Sequence, residues 1–455
     1  MQRALDRSAW RPIHTRIALA LGFGWALDSF EVQIVNSVIT PIAAEFGLSD
    51  TQKILVYLPW FLGILVGALV FGFLADRLGR KRLFIFTLLF YSFFAMLTAA
   101  SWNLESLLAF RFLTGAGVGG EYAVVASAIA EFVPSRHRGR TNALVMNFWA
   151  LGGIAAGAAG ILFLTAFSTG GGWRLALLFG AVSAFFALYV RRIIPESPRW
   201  LASRGRHDEA RAVIREITGE EQPEGFDDLL QPRASLRPQL QELWRDYRGR
   251  LIYGMTLDFS EAAAYYGIFT FTAVFVLTDG VIDVADNLIP VYFLVANVGA
   301  LAGGLTVAWA LDRFGRKPTT FFTYTGAAVA VMILAGAAST GSPVLALAAL
   351  TLAVFCATTA WVGAYPTFTE LFPTHLRATG VGISVAVGRV GAIIGNVVLG
   401  LSAAAFGLFT GFALLAGFWL IGAVAAAVWW VRGIEGRGRT LEALSPPPVY
   451  PASAQ

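Results

Sequence analysis

The segment GALVFGFLADRLGRKR, from Gly67 to Arg82, joins an apolar helix rich in small residues to a short polar turn with five charges, four of them basic. The core of this turn, D-R-x-G-R-K, returns in GGLTVAWALDRFGRKP, from Gly303 to Pro318. The two aspartates, Asp76 and Asp312, are 236 residues apart (312 minus 76), which is about half of the 455-residue chain. The sequence therefore predicts two halves that repeat the same structure.

The composition excludes an ordinary water-soluble protein. Of the 455 residues, 56% are hydrophobic and 14% are charged, whereas about a quarter of a soluble chain is charged. Twelve apolar runs of the ~20 residues needed to span a bilayer follow one another along the chain. We therefore predict an all-α, multi-pass protein of the plasma (inner) membrane, with twelve transmembrane helices in two pseudo-symmetric six-helix bundles.

The basic residues predict the orientation, because cytoplasmic loops of membrane proteins carry an excess of Lys and Arg. With both termini in the cytoplasm, 30 of the 34 Lys and Arg residues lie in tails or loops on that side. The other four are Lys53 and Arg174 at the outer rims and Arg111 and Arg389 within spans. The basic charge thus follows the membrane, and we expect a lipid bilayer and a small molecule as partners, no nucleic acid, and a monomer.

The alternation of apolar and polar segments divides the chain into four parts. Residues 1–193 are predicted to form the first six-helix bundle with a short cytoplasmic tail, and residues 250–433 the second bundle. Residues 194–249 form a cytoplasmic linker, and residues 434–455 a cytoplasmic tail that we expect to be disordered. The linker segment 206–217 has one apolar helical face, which predicts a surface helix.

Five motifs together resemble the major facilitator superfamily. Two of them are the paired turns. The other three are span four with its exit (Arg111 to Glu121 and Glu131 to Gly139), the PESPRWL run from Pro195 to Leu201, and Glu370 to Arg377 after span ten. They are similar to the branch in which sugar porters and aromatic-acid/proton symporters resemble each other. The resemblance implies a transporter that binds its substrate near the midplane and exposes it alternately to each side. We expect no enzyme activity, no cofactor and no metal, with the proton as coupling ion.

The resemblance also implies a gate at the cytoplasmic ends of the helices. Charged residues of the paired turns and of the exits from spans four and ten would cross-link neighbouring helix ends through charge-assisted hydrogen bonds. Breaking these bonds should shift the balance between inward- and outward-facing states. The predicted gate residues are Asp76, Arg77, Arg80, Glu131 and Arg138 in the first half and Asp312, Arg313, Arg316, Glu370 and Arg377 in the second.

Several ionisable residues lie deep within predicted spans, where each is unfavourable by several kcal/mol unless it is paired or hydrated. Such residues are functional candidates by default. A count along span one places the first of them about 12 residues, some 18 Å, from the cytoplasmic end, near the bilayer centre. The deep residues are Asp28, Glu31, Arg111, Glu121, Asp258, Glu261 and Arg389.

Asp28, Glu31 and Arg111 are the predicted proton-coupling residues. The two acids are three residues apart and share a helix face, and Arg111 reaches inward far enough to meet either. In proton-coupled sugar porters and aromatic-acid symporters, an Asp at the position of Asp28 is functionally required. In the sugar porters the span-four Arg is its partner, so the resemblance implies a proton switch here. A permanent structural ion pair is the alternative.

Arg389 is the predicted substrate-binding residue, because a guanidinium fixed near mid-membrane can bind a substrate carboxylate through two parallel hydrogen bonds. A structural role as partner of Glu261 or another acid is the alternative. We also expect Glu261 to face the cavity. Aromatic residues of spans seven and ten are expected to line it, with packing or lipid contact as the alternative: Tyr265, Tyr266, Trp361 and Tyr365.

Departures from the family patterns narrow the function. Span seven reads DFSEAAAYYG, from Asp258 to Gly267, and lacks the paired glutamines and the asparagine with which hexose porters hold sugar hydroxyls. Span five lacks the Gly-Pro pair of drug exporters. The sequence therefore predicts proton-coupled uptake of a small organic acid, aromatic by resemblance, by alternating access. Sugar or polyol/proton symport and drug-type efflux antiport stay open as alternatives.

Overall fold

The computed structural model describes residues 8–167, 171–181, 186, 189, 193–219, 236–277, 281–373 and 376–435. These residues form fifteen α-helices and no β-strand. Some side chains within the described helices are not part of the description. The side chains of five predicted gate residues lie outside the description, so their gating role stays a prediction: Asp76, Arg77, Arg80, Glu131 and Arg138.

Six helices precede the linker. Their bounds are α1 Pro12–Phe46, α2 Asp50–Leu78, α3 Arg80–Ala99, α4 Leu104–Phe132, α5 Ser135–Ala166 and α6 Gly172–Gly180. These correspond to predicted spans one to six. The last of them, α6, is the beginning of span six, most of whose remaining residues lie outside the described ranges.

The linker contains three short helices, α7 Pro198–Ser203, α8 His207–Thr218 and α9 Leu236–Asp246. The surface helix predicted for residues 206–217 is confirmed as α8. Its apolar face packs against α7, since Ala210 clusters with Leu201. Burial of this face explains why so short a helix forms in an otherwise polar segment.

Six longer helices follow the linker and correspond to spans seven to twelve. A π-helical turn at Thr272–Val276 extends α10, and a 3-10 turn at Asp286–Leu288 precedes α11. The helix bounds are α10 Arg248–Phe271, α11 Ile289–Phe314, α12 Arg316–Ser339, α13 Pro343–Leu371, α14 Arg377–Phe406 and α15 Leu408–Arg432.

Ten segments within the described ranges are helical, long and apolar enough to cross a membrane. Helix α4, which corresponds to span four, has 29 residues, and several of its side chains lie outside the described part of the structure. Large apolar side chains remain exposed on the outer helix faces, for example Phe73 and Phe406. A bilayer is a favourable solvent for such surfaces, because lipid tails are as apolar as the side chains themselves.

The same helix pairs pack in both halves. Helix α1 packs on α5 as α10 packs on α14, α2 on α4 as α11 on α13, and α3 on α4 as α12 on α13. The paired turns also match, since Gly79 and Gly315 adopt φ angles of 96° and 89° directly before α3 and α12. Glycine is the residue that takes this backbone region without strain. The halves meet where α5 packs on α11 and α2 on α14.

Glycines allow the closest of these approaches. A methyl group on Gly115 or Gly119 of α4 would collide with the main-chain carbonyls of Trp60 or Ile64 on α2. Between the halves, a methyl group on Gly157 of α5 would lie 2.7 Å from Cβ of Leu294 on α11. Small residues let membrane helices approach in this way.

Candidate functional site

A first cluster of buried charges lies between α1 and α4. Helix α1 contributes Asp28 and Glu31 on one face, and α4 contributes Arg111 and Glu121. All four side chains are at most 2% exposed. Charged groups are buried to this degree only when they are paired, hydrogen-bonded or neutralised by a proton, so the contacts within the cluster decide its charge.

Arg111 meets Glu31. Its Nη1 donates a hydrogen bond to the main-chain carbonyl of Glu31 at 3.3 Å, and the guanidinium and the Glu31 carboxylate interact electrostatically. The Arg111 Cζ also lies 5.8 Å from the ring centre of Trp60 on α2. Of the two acids that the sequence placed within its reach, the structure therefore brings the guanidinium to Glu31 rather than to Asp28.

Asp28 instead faces Glu121 of α4. The two carboxyl groups lie within hydrogen-bonding reach of each other, and the Glu121 carboxylate also approaches Gly24, one turn earlier on α1. Neither carboxyl group accepts a hydrogen bond from a donor on the described residues. Two carboxylates repel strongly at this distance in a medium of low dielectric, so the contact requires a proton. The sequence marked Glu121 as deep but did not single it out as a site residue.

A second cluster lies between α10, α13 and α14. The Arg389 guanidinium donates from Nη1 to the Tyr266 hydroxyl at 3.1 Å and from Nη2 to the Tyr365 hydroxyl at 3.5 Å. Asp258 and Glu261 are both buried on α10 and interact electrostatically with this guanidinium. The structure thus joins Arg389 to two of the predicted aromatic residues, and it also places Glu261 beside it, as the alternative role of Arg389 requires.

Asp258 reaches this cluster because α10 and α14 approach closely. Its carboxylate contacts Gly388, the residue before Arg389, so closely that a methyl group there would collide with it. The sequence analysis marked Asp258 as deep but did not assign it to the site. The available signal was the spacing of three residues in both acid pairs, Asp28 with Glu31 and Asp258 with Glu261.

The four predicted aromatic residues form one cluster that extends into the first half. The ring centres of Tyr265 and Trp361 are 5.4 Å apart, and those of Trp361 and Tyr365 are 6.2 Å apart. Trp149 of α5 joins them from the first half, with its ring centre 5.7 Å from Trp361 and 6.4 Å from Tyr266. The cluster therefore lies where the two halves meet.

Aromatic contacts also connect the two charge clusters. Trp60, which lies beside Arg111, has its ring centre 5.3 Å from that of Phe61. Phe61 in turn lies 5.0 Å from Tyr266, whose hydroxyl accepts a hydrogen bond from Arg389. The two guanidinium groups are thus linked by a short run of packed rings between the halves.

A buried hydrogen bond joins the halves beside this aromatic cluster. Asn297 of α11 donates from Nδ2 to Oε1 of Gln33 on α1 at 2.7 Å. Gln33 donates to the Ser29 hydroxyl at 2.8 Å, and that hydroxyl donates to the Trp149 carbonyl. Both amide side chains are almost fully buried, so separation of the halves here must break this bond or replace it with water.

The predicted second-half gate residues lie at the ends of α11, α12, α13 and α14. Arg316 and Glu370 form an ion pair with a shortest N–O distance of 2.7 Å, which joins the start of α12 to the end of α13. Arg377 donates to the Phe372 carbonyl at 3.5 Å. Asp312 is exposed, and the Arg313 guanidinium lies over the Trp309 ring.

Two glutamates that the sequence analysis did not assign to the site hold the paired turns. The Glu435 carboxylate accepts main-chain hydrogen bonds from Arg316 and Lys317 at 2.9 and 3.1 Å, and Glu196 of the PESPRWL run accepts one from Lys81 at 3.1 Å. Acidic groups stabilise helix N-termini, where the first N–H groups lack partners. Within the described residues, no His, Cys, Asp and Glu group of three or more could hold a metal ion.

Comparison with known proteins assigns this arrangement to a family. The model of the family described as "Sugar (and other) transporter" matches residues 20–446. The chain belongs to the sugar (and other) transporter family. This transporter is 30% identical to the niacin transporter of Acinetobacter baylyi over 95% of its own length and 96% of the relative. It is 31% identical to the putative niacin/nicotinamide transporter of Bacillus subtilis, with coverage of 87% and 90%.

The fold is that of the major facilitator superfamily. The solved structure of the xylose transporter XylE from E. coli, in a partially occluded inward-open conformation, superimposes with a TM-score of 0.75 at 19% identity. The alignment covers 94% of this transporter and 99% of that chain. The resemblance inferred from the five motifs is thereby confirmed: this transporter is a sugar-porter-like, multi-pass protein of the plasma membrane with a small-molecule substrate.

Proposed function

We propose that this transporter takes up a small aromatic acid together with a proton by alternating access. The observation that supports this most strongly is Arg389, a buried guanidinium held by two tyrosine hydroxyls beside an aromatic cluster shared by both halves. A guanidinium binds a carboxylate bidentately, and neighbouring rings accept a flat ring through stacked or edge-to-face contacts. Niacin, which gives its name to two relatives, is a pyridine carboxylic acid.

The excess of buried acids supports proton coupling. The first cluster holds three carboxyl groups for one guanidinium, and the second holds Asp258 and Glu261 for Arg389. A substrate carboxylate would bring a third acidic group to Arg389. Buried charge without compensation is strongly unfavourable, so binding favours a proton on Asp258 or Glu261. An acid substrate and a proton would therefore enter this cavity together.

The first cluster would respond to the same proton gradient. Asp28, Glu31 and Arg111 retain their predicted coupling role, with Glu31 rather than Asp28 in contact with the guanidinium. Protonation of Glu31 would weaken its attraction to Arg111, which lies beside Trp60 at the start of the aromatic run. A change of charge at Glu31 would therefore act, through Arg111 and Trp60, on the contact between the halves.

The proposed architecture has twelve transmembrane helices in two bundles, residues 1–193 and 250–433. The linker 194–249, the tail 434–455 and both termini would be cytoplasmic. The repeated helix pairs and the distribution of basic residues support this division. We propose a monomer that needs no cofactor, has no enzyme activity and binds no nucleic acid.

In this orientation several close contacts between the halves lie on the outer side. Gly157 and Gly160 of α5 contact Leu294 and Pro290 at the start of α11, and Gly400 of α14 contacts α2 near its first turn. These residues would close the outer entrance. The cytoplasmic gate residues, including the Arg316–Glu370 ion pair, would stabilise the opposite ends of the helices.

Uptake of radiolabelled nicotinate by proteoliposomes with an inward proton gradient tests this function. The wild-type protein should accumulate nicotinate, and Arg389→Gln should lower initial uptake by about tenfold or more, because loss of a charge-assisted hydrogen-bonding pair is worth about 1.5–3 kcal/mol. Arg389→Lys keeps the charge but not the bidentate geometry and should fall between the two. Arg215→Gln, on the exposed face of α8, is the control.

The same assay separates the alternatives. Xylose uptake that persists in Arg389→Gln would indicate that the substrate is a sugar and not an acid, because sugar hydroxyls need no cation. Nicotinate extrusion driven by an inward proton gradient would instead indicate an efflux antiporter. Equal nicotinate uptake by wild-type and Arg389→Gln protein would contradict the carboxylate-binding role.

A further inference from the structure

We propose that Asp28 and Glu121 together form a proton-binding site, in which a carboxyl group of α1 and a carboxyl group of α4 share one proton. The inference rests on the proposed proton coupling and adds Glu121, a residue that neither the sequence motifs nor the relatives assign. The site is distinct from the Arg111–Glu31 contact, which occupies a different part of the same two helices.

The geometry of the pair supports a shared proton. Both side chains are fully buried, and each carboxyl group lies within hydrogen-bonding reach of the other. None of their four oxygen atoms accepts a hydrogen bond from a donor among the described residues. The Glu121 carboxylate also lies against α1 beside Gly24, one turn before Asp28, where a Cβ would be 3.9 Å from its Oε2. One proton between the two groups supplies the donor that both otherwise lack.

The surrounding charges do not replace that proton. Among the described residues, the charged groups that act on Asp28 are Glu121 and Glu31, and the group that acts on Glu121 is Asp28. All of them are acids. Arg111, the cation on α4, is ten residues from Glu121, or about 15 Å along the helix, and it contacts Glu31. The pair therefore balances its charge by holding a proton, not by an ion pair.

Hydration of the pair would release the proton. In the buried state a second negative charge is unfavourable because of desolvation and repulsion, whereas water in an open cavity solvates both carboxylates. Opening of the cavity on the low-proton side therefore favours release, and opening on the other side favours uptake. Two carboxyl groups thus make a site that alternating exposure to water can load and unload without movement of a guanidinium.

Infrared difference spectroscopy of the reconstituted full-length protein tests the pair without any substrate. The carboxylic-acid C=O band is followed as pH rises in wild type, Asp28→Asn, Glu121→Gln and the control Glu105→Gln, an exposed acid on the same helix. In a coupled pair the last proton leaves at a higher pH than from either acid alone, because its loss creates two adjacent charges. Each single variant should therefore titrate lower than wild type by about one pH unit or more, and Glu105→Gln should match wild type.

Independent acids would give a different result, which would overturn the proposal. Each variant would then lose its own band, and the remaining band would titrate at its wild-type pH. Glu121→Asp, which retains a carboxyl group, should restore coupling. Should Glu121→Gln fail to fold, Asp28→Asn carries the same test on the Glu121 band.

Transport measurements separate this inference from the proposed function. Glu121→Gln should lower gradient-driven nicotinate accumulation at least tenfold and retain exchange of labelled for unlabelled nicotinate. Accumulation equal to wild type would refute the pair and leave the function intact. Coupled infrared titration in a protein that moves no nicotinate would support the pair and refute the proposed substrate.

Discussion

The hydrogen bond between Asn297 and Gln33 should act as a latch between the two halves, and Asn297→Ala should release it. The bond is 2.7 Å long and joins α11 to α1. Asn297 also donates to the Phe293 carbonyl of its own helix at 2.8 Å. The substitution removes both bonds and leaves the Gln33 Oε1 without its donor in the closed state.

The expected size of the effect follows from burial. Both side chains are at most 2% exposed, and a buried acceptor that loses its donor is unfavourable by about 1–3 kcal/mol. In an outward-open state water would satisfy Gln33, so the penalty falls on the closed state. The ratio of open to closed protein should therefore rise by about 5- to 150-fold.

Cysteine labelling from outside measures this ratio. Ser37 is buried on α1 against Gly160 of α5, beneath the outer contact between the halves. In a Cys356→Ala background, Ser37→Cys provides a single thiol for a membrane-impermeant maleimide. The labelling rate should rise at least about fivefold when Asn297→Ala is added.

A matched control isolates the bond between the halves. Asn396 of α14 is also buried and donates to the Ala392 carbonyl of its own helix at 2.8 Å. Asn396→Ala thus removes the same side chain and an equivalent bond within a helix. Labelling at the same rate in the two variants would refute the latch.

Two further predictions concern the paired turns and the second-half gate. Glu370→Gln should weaken the ion pair with Arg316 by about 1–2 kcal/mol, since both side chains are partly exposed, and lower nicotinate uptake severalfold at unchanged protein level; Glu209→Gln, an exposed pair on the linker, should have no measurable effect. Gly315→Ala should lower the thermal unfolding midpoint, because φ of 89° is unfavourable for alanine by about 1–2 kcal/mol. Gly326→Ala, within α12 and with open space at its Cβ, should leave the midpoint unchanged or raise it.

The architecture was predictable because its signals are local. Hydropathy locates the helices. The paired turns need glycine at Gly79 and Gly315 for a backbone reason that the D-R-x-G-R-K motif already contains. The linker helix α8 follows from one apolar face. These features depend on neighbours in sequence, so one chain is enough to find them.

The pairing of the buried charges was not predictable in the same way. Depth along a helix and the residues that share a helix face follow from residue number, but the neighbouring helix toward which that face points does not. Depth therefore identified Asp28, Arg111 and Arg389 as buried, whereas the partner of each depends on how the helices turn toward one another. This is why Asp28 faces Glu121 and why Asp258 lies beside Arg389.

The aromatic cluster shows the same limit. Tyr265, Tyr266, Trp361 and Tyr365 lie on helices that the resemblance placed at the cavity. Trp149 of α5 has no sequence feature that distinguishes a ring between the halves from a ring toward lipid. Only the packing of α5 against α11 and α13 shows that the Trp149 ring lies between the halves.

Simultaneous recording of proton and nicotinate movement into proteoliposomes addresses the proposed symport itself. With no gradient at the start, addition of nicotinate outside should alkalinise the medium as nicotinate enters, at a rate well above that of protein-free liposomes. Asp28→Asn should abolish the proton signal. Nicotinate entry through the wild-type protein with no proton movement would contradict the account.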